Sequence, residues 1–496
     1  MDDKNDSRKF PKGWVWTRLE NITDIILGQS PPSSTYNLDK MGLPFYQGKA
    51  EFGEIYPAPV KWCSKPKKVA EKGDVLISVR APVGPTNICP EQSCIGRGLA
   101  AIRPLGNMHS LFILYLIRSC ENKLISKKTG TTFDAITGDR LRKFEIPLPP
   151  LPEQHRIVAK IEELFTKLDA GMVELKKVRS QLKLYRLAVL KYAFEGRITE
   201  EWRETHKDKL ESASVLLEKI KEERKKKLGK KYKELPPLDT SNLPDVPDGW
   251  VWTRVNELFD VSYGLAEPLR KTVSDNKNDI PVIRIANITA YGTLDLSELK
   301  YFPLEIEQKR KLKLHKGDVL FNWRNSPKWL GKSAVFDQEN EFVNASFLLR
   351  LRPYVIGYSK FATAWINHLR LTGYFLTKIE NAVNQANFNA NKTKQVEISF
   401  PPLPEQNKIM EEIEQRFSVA DEVEKVIEQS LKKAERLRQS ILKRAFEGKL
   451  VPQDPSDEPA EKLLELIKAE KAKKEAEKKA KKRRERKVNP RQMRLI

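Results

Sequence analysis

The residue groups that usually carry enzymatic chemistry can be tested first against the spacing that each reaction needs. Transfer of a methyl group to an amine requires Asp or Asn before Pro-Pro and an aromatic residue. The four Pro-Pro pairs instead follow Ser30, Leu148, Leu235 and Phe400. Gly331-Lys332-Ser333 resembles the end of a phosphate-binding loop, but Ser326 stands where that loop needs its first glycine. The sequence therefore offers no loop for methyl transfer or ATP binding.

Metal-binding and nucleophilic side chains are scattered along the chain. The five histidines have no His-Glu-x-x-His or related spacing and are predicted to be surface or packing residues: His109, His155, His206, His315 and His368. We interpret the four cysteines as reduced packing residues, with a metal site as the alternative: Cys63, Cys89, Cys94 and Cys120. A nuclease site of a few carboxylates and a lysine leaves too weak a signature to judge, so that alternative stays open. We predict no catalytic and no metal-binding residue.

The charge of the chain points to a polyanionic partner. Lys and Arg outnumber Asp and Glu by 90 to 67, which gives a net charge of +23 and a pI near 9.5. Nucleic acid fits that charge, and an anionic membrane surface is the alternative. The apolar run from Leu111 to Ile117 is far shorter than the roughly 18 residues that span a bilayer. Residues 1–10 lack the apolar stretch of a secretory signal, so we expect a cytoplasmic protein.

Reading DNA requires side-chain donors and acceptors, typically Arg or Lys for guanine and Asn or Gln for adenine. Two kinds of loop supply them. One follows the motif Lys-Gly-Asp-Val-Leu, which occurs twice, and its candidates are Arg80 in the first copy and Arg324, Asn325 and Ser326 in the second. The other precedes a long helical segment, and its candidates are Thr131, Thr132 and Arg140 in the first copy and Asn384, Gln385, Asn387 and Asn389 in the second. The alternative is that Arg80 forms a salt bridge and that the Asn-rich stretch is an ordinary loop.

These candidates lie in a chain that repeats itself. Pro11 to Arg18 returns at Pro247 to Arg254, an offset of 236 residues (247 − 11). The Lys-Gly-Asp-Val-Leu motif returns at an offset of 244 (316 − 72), and Pro-Pro-Leu-Pro-Glu-Gln and Ala-Phe-Glu-Gly both return at 252 (401 − 149 and 445 − 193). One segment therefore changes in length between the copies, whereas the segment after Pro-Pro is fixed. A fixed scaffold with two divergent reading domains fits this pattern.

The fixed segments are predicted to be long helices. Apolar residues from Ile157 to Ala193 recur every 3.6 residues on average, 36 residues in ten steps, and the stripe from Ile409 to Ala445 has the same period. Proline in the first turn and Gly196 or Gly448 after the last mark the ends. We expect the two stripes to pair as an antiparallel coiled coil that places the variable domains at opposite ends. Parallel pairing, or separate packing of each helix on its own domain, is the alternative.

At these residues the chain resembles the specificity subunit of type I restriction-modification systems. The resemblance covers essentially the whole chain and rests on the Gly-Trp openings at Gly13-Trp14 and Gly249-Trp250, the Pro-Pro-Leu-Pro-Glu-Gln repeats and the Ala-Phe-Glu-Gly exits. It implies a non-catalytic subunit that binds double-stranded DNA, two modification (methyltransferase) subunits and restriction (motor-nuclease) subunits. Each variable domain would read one half of a bipartite, asymmetric target, and the helices would set the gap. S-adenosylmethionine, ATP and Mg²⁺ would bind the partner subunits.

The predicted architecture is therefore α+β, with two mixed target-recognition domains, hereafter the first and second heads, alternating with two long helices in a pseudo-twofold repeat. The predicted segments are the first head at 1–146, its helix at 147–196, a charged linker with a short helix at 197–246, the second head at 247–398, its helix at 399–448, and a basic helix or tail at 449–496. Trp14, Trp16, Trp250 and Trp252 are interpreted as anchors of the heads.

Two interpretations remain open at this point. Lys468 to Lys487 holds twelve Lys or Arg against four Glu, which is typical of a solvated helix face or a disordered arm, with a DNA contact as the alternative. The function that competes with DNA reading is a coiled-coil scaffold or adaptor that binds only proteins. That function would leave the unequal divergence of the two heads unexplained.

Overall fold

The computed structural model describes residues 11–125, 135–265, 279–379 and 386–488. The chain divides into two compact units, Met1–Leu175 with Glu428–Ile496, and Lys176–Ile427. Each unit contains one head and a part of both long helices. The boundaries between the units therefore fall inside the helices. No helix among the described ranges is both long and apolar enough to cross a membrane.

The first head is built from eleven described strands and three helices. Its strands are β1 Val15–Arg18, β2 Thr23–Leu27, β3 Tyr36–Asn37, β4 Leu43–Tyr46, β5 Lys61–Cys63, β6 Val69–Ala70, β7 Val75–Ser78, β8 Thr86–Ile88, β9 Ser93–Ile95, β10 Leu99–Pro104 and β11 Glu145–Leu148. Its helices are α1 Leu19–Ile22, α2 Ser110–Ile125 and α3 Gly138–Arg142. The strands form a pair β1-β11, a sheet in the order β2-β10-β7-β8 and a sheet in the order β3-β5-β4-β9-β6.

Three helices follow the first head: α4 Leu151–Phe194, α5 Glu200–His206 and α6 Ala213–Leu228. The second head then has the strands β12 Val251–Arg254, β13 Phe259–Tyr263, β14 Ile280–Ile283, β15 Lys300–Phe302, β16 Val319–Asn322, β17 Arg324–Asn325, β18 Ser333–Val335, β19 Val343–Asn344, β20 Leu348–Pro353, β21 Ala386–Asn387 and β22 Glu397–Phe400. Its helices are α7 Val255–Leu258, α8 Ile306–Leu312, α9 Ser359–Leu371, α10 Tyr374–Thr377 and α11 Ala390–Lys394. The chain closes with α12 Leu403–Phe446 and α13 Ala460–Val488.

The sheets of the second head repeat those of the first where the sequence motifs repeat. The pair β12-β22 matches β1-β11, and the order β13-β20-β16-β18 matches β2-β10-β7-β8. A sheet β15-β14-β19 and a pair β17-β21 complete the second head. The shared sheets fix where corresponding loops lie in the two heads.

The Gly-Trp openings are held by the Pro-Glu-Gln entries of the long helices. The indole N–H of Trp14 donates to Glu153 at 2.9 Å, and that of Trp250 donates to Glu405 at 2.8 Å. Both tryptophans and both carboxylates are buried, so each head is fixed to the start of the helix that follows it. The prediction that Trp16 is also an anchor is wrong, because its side chain is 50% exposed, and of the two tryptophans that open the first head only Trp14 is buried.

The long helices pair in an antiparallel sense through a repeated charged contact. In one unit the Arg438 guanidinium forms an ion pair with Asp169 and lies 4.9 Å from the ring of Phe165. In the other, Arg186 pairs with Asp421 at 2.5 Å and lies 5.7 Å from the ring of Phe417. Within the second unit, Arg186 of α4 contacts Asp421 of α12, and the later residues Val189 to Phe194 of α4 share a core with the earlier residues Ile409 and Ile413 of α12. The predicted antiparallel pairing is confirmed.

Each helix exit packs against the opening of a head. Gly196, at φ +72°, ends α4, and a Cβ placed there would lie 2.4 Å from the Pro247 ring; Gly448, at φ +68°, ends α12 and meets Pro11 in the same way. The short helices follow this pattern, because Ala213 N–H donates to the Gly249 carbonyl at 2.8 Å and Ala460 N–H to that of Gly13 at 3.0 Å. The C-terminal segment thus completes the first unit as α6 completes the second.

Candidate nucleic-acid interface

The Lys-Gly-Asp motif fixes the strand that carries the first candidate loop. Asp74 precedes β7 and accepts two bonds of 2.9 Å from Arg103, and Asp318 precedes β16 and accepts bonds of 2.8 and 2.7 Å from Arg352. The aspartates are buried, and the bond to Asp74 raises the pKa of Arg103. The two ion pairs therefore fix β7 and β16 in the same way. The loops that follow these strands begin at equivalent positions in the two heads.

In the first head the two predicted loops lie side by side. The Ile136 N–H donates to the Val79 carbonyl at 2.9 Å, which joins the segment before α3 to the end of β7. Ser78 Oγ donates to the carbonyls of Arg80 and Pro82 at 3.0 and 2.8 Å and shapes the turn between them. Arg80 is exposed on that turn.

The same two loops meet in the second head. The Phe388 N–H donates to the Trp323 carbonyl at 2.8 Å, at positions that match Ile136 and Val79. Strands β17 and β21 extend this contact into an antiparallel pair in which Arg324 faces Asn387. Asn387 and Ser326 are exposed. The fold therefore brings together candidates that are more than sixty residues apart in the sequence.

Two other candidates have structural partners of their own. The Asn389 side-chain oxygen accepts from Lys392 N–H at 3.0 Å and caps α11, as Thr137 accepts from Arg140 N–H at 3.3 Å and caps α3. The Arg140 guanidinium donates to the Lys123 carbonyl at 3.4 Å at the end of α2. Asn389 therefore keeps only its amide hydrogens for another partner, and Arg140 is tethered beside the loop.

Several predicted residues lie outside the part of the chain that the structure describes. They are Thr131 and Thr132 of the first head and Asn384 and Gln385 of the second, together with the side chain of Asn325. Thr131 and Thr132 belong to the segment that leads to the loop at Ile136. Asn384 and Gln385 immediately precede β21.

Sequence reasoning missed a group of aromatic residues beside Arg324. Tyr263 and Trp323 lie edge to face with ring centroids 5.2 Å apart, Trp323 and Phe347 are 6.4 Å apart, and the Arg324 guanidinium is 5.5 Å from the Phe347 ring. Tyr263 and Phe347 are 48% and 40% exposed. Only Trp323 is adjacent to Arg324 in sequence, and the sheet order β13-β20-β16 brings the other two to it.

The corresponding positions of the first head carry no aromatic ring. Strand pairing equates Tyr263, Trp323 and Phe347 with Leu27, Val79 and Gly98. The backbone is the same in both places, since Val79 N–H donates to the Gly98 carbonyl as Trp323 N–H donates to that of Phe347. The two heads thus present one framework with different side-chain chemistry.

The family described as "Type I restriction modification DNA specificity domain" matches residues 11–178 and 247–433, one match for each head and helix. The chain belongs to this family. It is a specificity subunit of the type I restriction-modification class, whose role is DNA recognition and which is itself non-catalytic.

One relative in this family matches along nearly the whole chain and another along less than half of it. The EcoKI specificity subunit of Escherichia coli K12 is 24% identical over 94% of this chain and 97% of its own. The putative MjaX specificity subunit of Methanocaldococcus jannaschii is 40% identical over 39% of this chain and 46% of its own.

Solved structures share the fold. One is a type I restriction-modification chain from a study of complex assembly and conformational transition, with a TM-score of 0.65, 20% identity and coverage of 89% of this chain and 99% of its own. The specificity subunit HsdS from Thermoanaerobacter tengcongensis has a TM-score of 0.51 at 20% identity and covers 90% of this chain and 100% of its own.

Proposed function

We propose that each head reads one half of a bipartite, asymmetric target in double-stranded DNA. The observation that carries the proposal is the matched loop pair: Val79 with Ile136 and Trp323 with Phe388 join the same two loops, and the side chains around them differ. A duplicated domain that keeps its framework and changes only this surface is suited to two different base sequences.

The proposed contacts differ in chemistry between the heads. In the first head they are Arg80, Arg140, Thr131 and Thr132, and in the second Arg324, Asn325, Ser326, Asn384, Gln385, Asn387 and Asn389. Arginine suits the O6 and N7 acceptors of guanine, and the amides suit adenine. The second head would therefore read with amides and an arginine flanked by aromatic rings, and the first with arginines and hydroxyl groups.

The complex around this chain is also part of the proposal. Two modification subunits would dock on the paired helices and heads, and restriction subunits would join to form the nuclease. S-adenosylmethionine, ATP and Mg²⁺ would bind those partners, and the assembly would work in the cytoplasm. The fixed length of α4 and α12 would set the gap between the two half-targets, because a continuous helix is a rigid spacer.

The test is selection from a pool of random duplexes by the complex of this chain with its modification subunits, repeated at rising salt. Specific reading keeps one bipartite sequence as salt rises, whereas binding by charge alone fades without selection. Arg80→Ala should then relax the first half-target and Arg324→Ala the second, each by about 10- to 100-fold, because a bidentate base contact contributes about 1–3 kcal/mol.

Lys72→Ala and Lys316→Ala are the matched controls, since both lysines are exposed on the turn before the same strands. They should leave both half-targets intact. Failure to recover any selected sequence at high salt would reject DNA reading and leave a scaffold that binds proteins. Equal relaxation of both halves by one arginine variant would reject independent heads.

A further inference from the structure

Helix α13 is longer than its repeat requires. Ile220 of α6 matches Ile467 of α13, an offset of 247 residues, so the end of α6 at Leu228 corresponds to position 475 (228 + 247). In the first copy the chain then turns at Gly229, whose φ is +48°. In the second, α13 continues to Val488. Residues 476–488, here called the basic arm, therefore have no counterpart, and their 13 residues measure roughly 20 Å as a helix.

The arm leaves from a firmly docked base. Ala460, Leu463 and Ile467 are buried against the first head. Lys471 Nζ then donates to the carbonyls of Glu20 and Thr23, at the end of α1. This contact closes the last turn of α1 with a cation, where the helix dipole favours one. The arm is thus carried by the first head.

Beyond Lys471 the described side chains of α13 are exposed to solvent, including every one from Ala472 to Glu477. The arm has eight Lys or Arg and two Glu, a net charge of +6 in its 13 residues. Like charges four residues apart on a helix repel each other and destabilise it, and the sequence of the arm repeats Lys or Arg at that spacing. A polyanion would relieve that repulsion and stabilise the helix.

The base of the arm lies close to the proposed reading surface. The Leu19 N–H at the start of α1 donates to the Phe144 carbonyl at 2.9 Å, just after α3, which carries Arg140. Helix α1 therefore lies next to both α3 and α13. DNA held at the loops of the first head would pass within reach of a 20 Å cationic helix that starts at α1.

We propose that the basic arm binds the phosphate backbone of duplex DNA that flanks the half-target of the first head. This inference rests on the proposed function, since it assumes that the first head holds DNA. The contact would be independent of sequence and would occur on one side of the target only, because the second head has no equivalent arm. An acidic surface on a partner protein is the competing ligand that the test must separate.

The test uses the full chain in complex with its modification subunits. In the main variant Lys478, Lys479, Lys481 and Lys482 are replaced by Gln, which keeps the length and helix propensity and leaves the docked base intact. The matched control replaces four exposed lysines of the other copy by Gln. Lys226 and Lys227 are in the last turn of the equivalent helix α6, and Lys230 and Lys231 follow it. A second variant ends the chain after Glu475. Affinity is measured against salt for duplexes with long or trimmed flanks.

Each phosphate contact contributes about 0.9 to the slope of log affinity against log salt. The main variant should therefore have a slope shallower by about 3 and bind on the order of tenfold more weakly at 0.15 M salt, with an unchanged target sequence. The truncated chain should show at least as large a decrease in salt slope and affinity. The control variant should keep the salt slope and the affinity of the unmodified chain. Trimming the flank beyond the first half-target should weaken the unmodified chain to the level of the variant, and trimming the other flank should not.

An unchanged salt slope in both arm variants would overturn the proposal. If the slope is unchanged but the variants lose a partner subunit in native mass spectrometry, the arm binds protein instead. The slope is also measured on duplex without the target. There the arm should still contribute even if sequence reading by the heads fails, so the two failures are distinguishable.

Discussion

His368 is a half-buried histidine of the second unit, on α9, whose ring centroid lies 5.1 Å from that of Phe194. Burial lowers its pKa to about 4, against a weaker opposing effect of Glu195. The unfolded chain, with a histidine pKa near 6.5, binds the proton first as the pH falls. The free energy of unfolding of the second unit should therefore decrease as the pH falls below 6.5. The total decrease due to His368 should be on the order of 3 kcal/mol and complete below about pH 4.

Hydrogen exchange at pH 7.5 and 5, corrected for intrinsic rates, measures this effect locally. Protection of α9 should fall at pH 5, and His368→Gln should remove most of that pH dependence. The equivalent helix α2 of the first head provides an internal control, because strand and helix pairing place Ser119 at the matching position (368 − 249). Equal pH dependence in α2 and α9 would contradict the assignment to His368.

Some functional residues could be predicted from the sequence, but the residues that they contact could not. The repeated Asp of Lys-Gly-Asp and Glu of Pro-Glu-Gln were visible as motifs, but their partners Arg103 and Trp14 are 29 and 139 residues away. The aromatic group around Arg324 could not be predicted for the same reason, because its three rings come from three separate segments of the chain. A repeated motif indicates that a residue is important, and only the sheet topology identifies the residues that it contacts.

Among the elements, the long helices depend on a repeated arginine contact. Arg186 is 1% exposed at its side chain, pairs with Asp421 and Glu424, and lies 4.4 Å from the Tyr291 ring, whereas Arg438 is 19% exposed. We expect Arg186→Ala to destabilise its unit by about 3 kcal/mol, because it leaves two carboxylates without their cation and removes ring contacts. Arg438→Ala should cost less, about 1–2 kcal/mol, since its partners are more exposed.

Hydrogen exchange again separates the two effects. Arg186→Ala should reduce protection in α12 before residue 427, and Arg438→Ala in α12 after residue 428, the two sides of the unit boundary. Lys432→Ala, on an exposed position of the same helix, is the control. Uniform loss of protection along α12 in either arginine variant would mean that the contacts do not act within their own units.

The helices are the part of the fold that the sequence predicts best. An apolar stripe of period 3.6 from Ile409 to Ala445 lies within α12 Leu403–Phe446, because amphipathic periodicity is a local property. The docking of α13 on the first head could not be predicted in this way. This docking joins residues more than 400 positions apart. Its only signal in the sequence is the weak similarity between the apolar positions of α13 and those of α6.

For the whole molecule, the proposed spacer makes a geometric prediction. Insertion of four residues after Leu175 and four after Ile427, the last positions before the unit boundaries, lengthens both helices by about 6 Å. DNA rises about 3.4 Å per base pair, so the preferred gap should grow by one or two base pairs while both half-sequences persist. Methylation of a library with varied gaps measures this. A folded, active double insertion with the original gap would show that the helices do not set the spacing.

Either insertion alone is the control for the double insertion. It would put the apolar stripes of α4 and α12 out of register beyond the insertion and should lower stability. Comparing the single and double insertions separates a change in gap from general damage to the helix pair.

If the two heads read independently, exchange of the first head should change only one half of the target. Residues 20–146 would be replaced by the corresponding segment of another specificity subunit, with the Gly-Trp opening and α4 retained, and methylation of genomic DNA would be mapped. Independent heads should give a target with one new half and one unchanged half. A change in both halves, or an unchanged target in an active complex, would contradict independent reading.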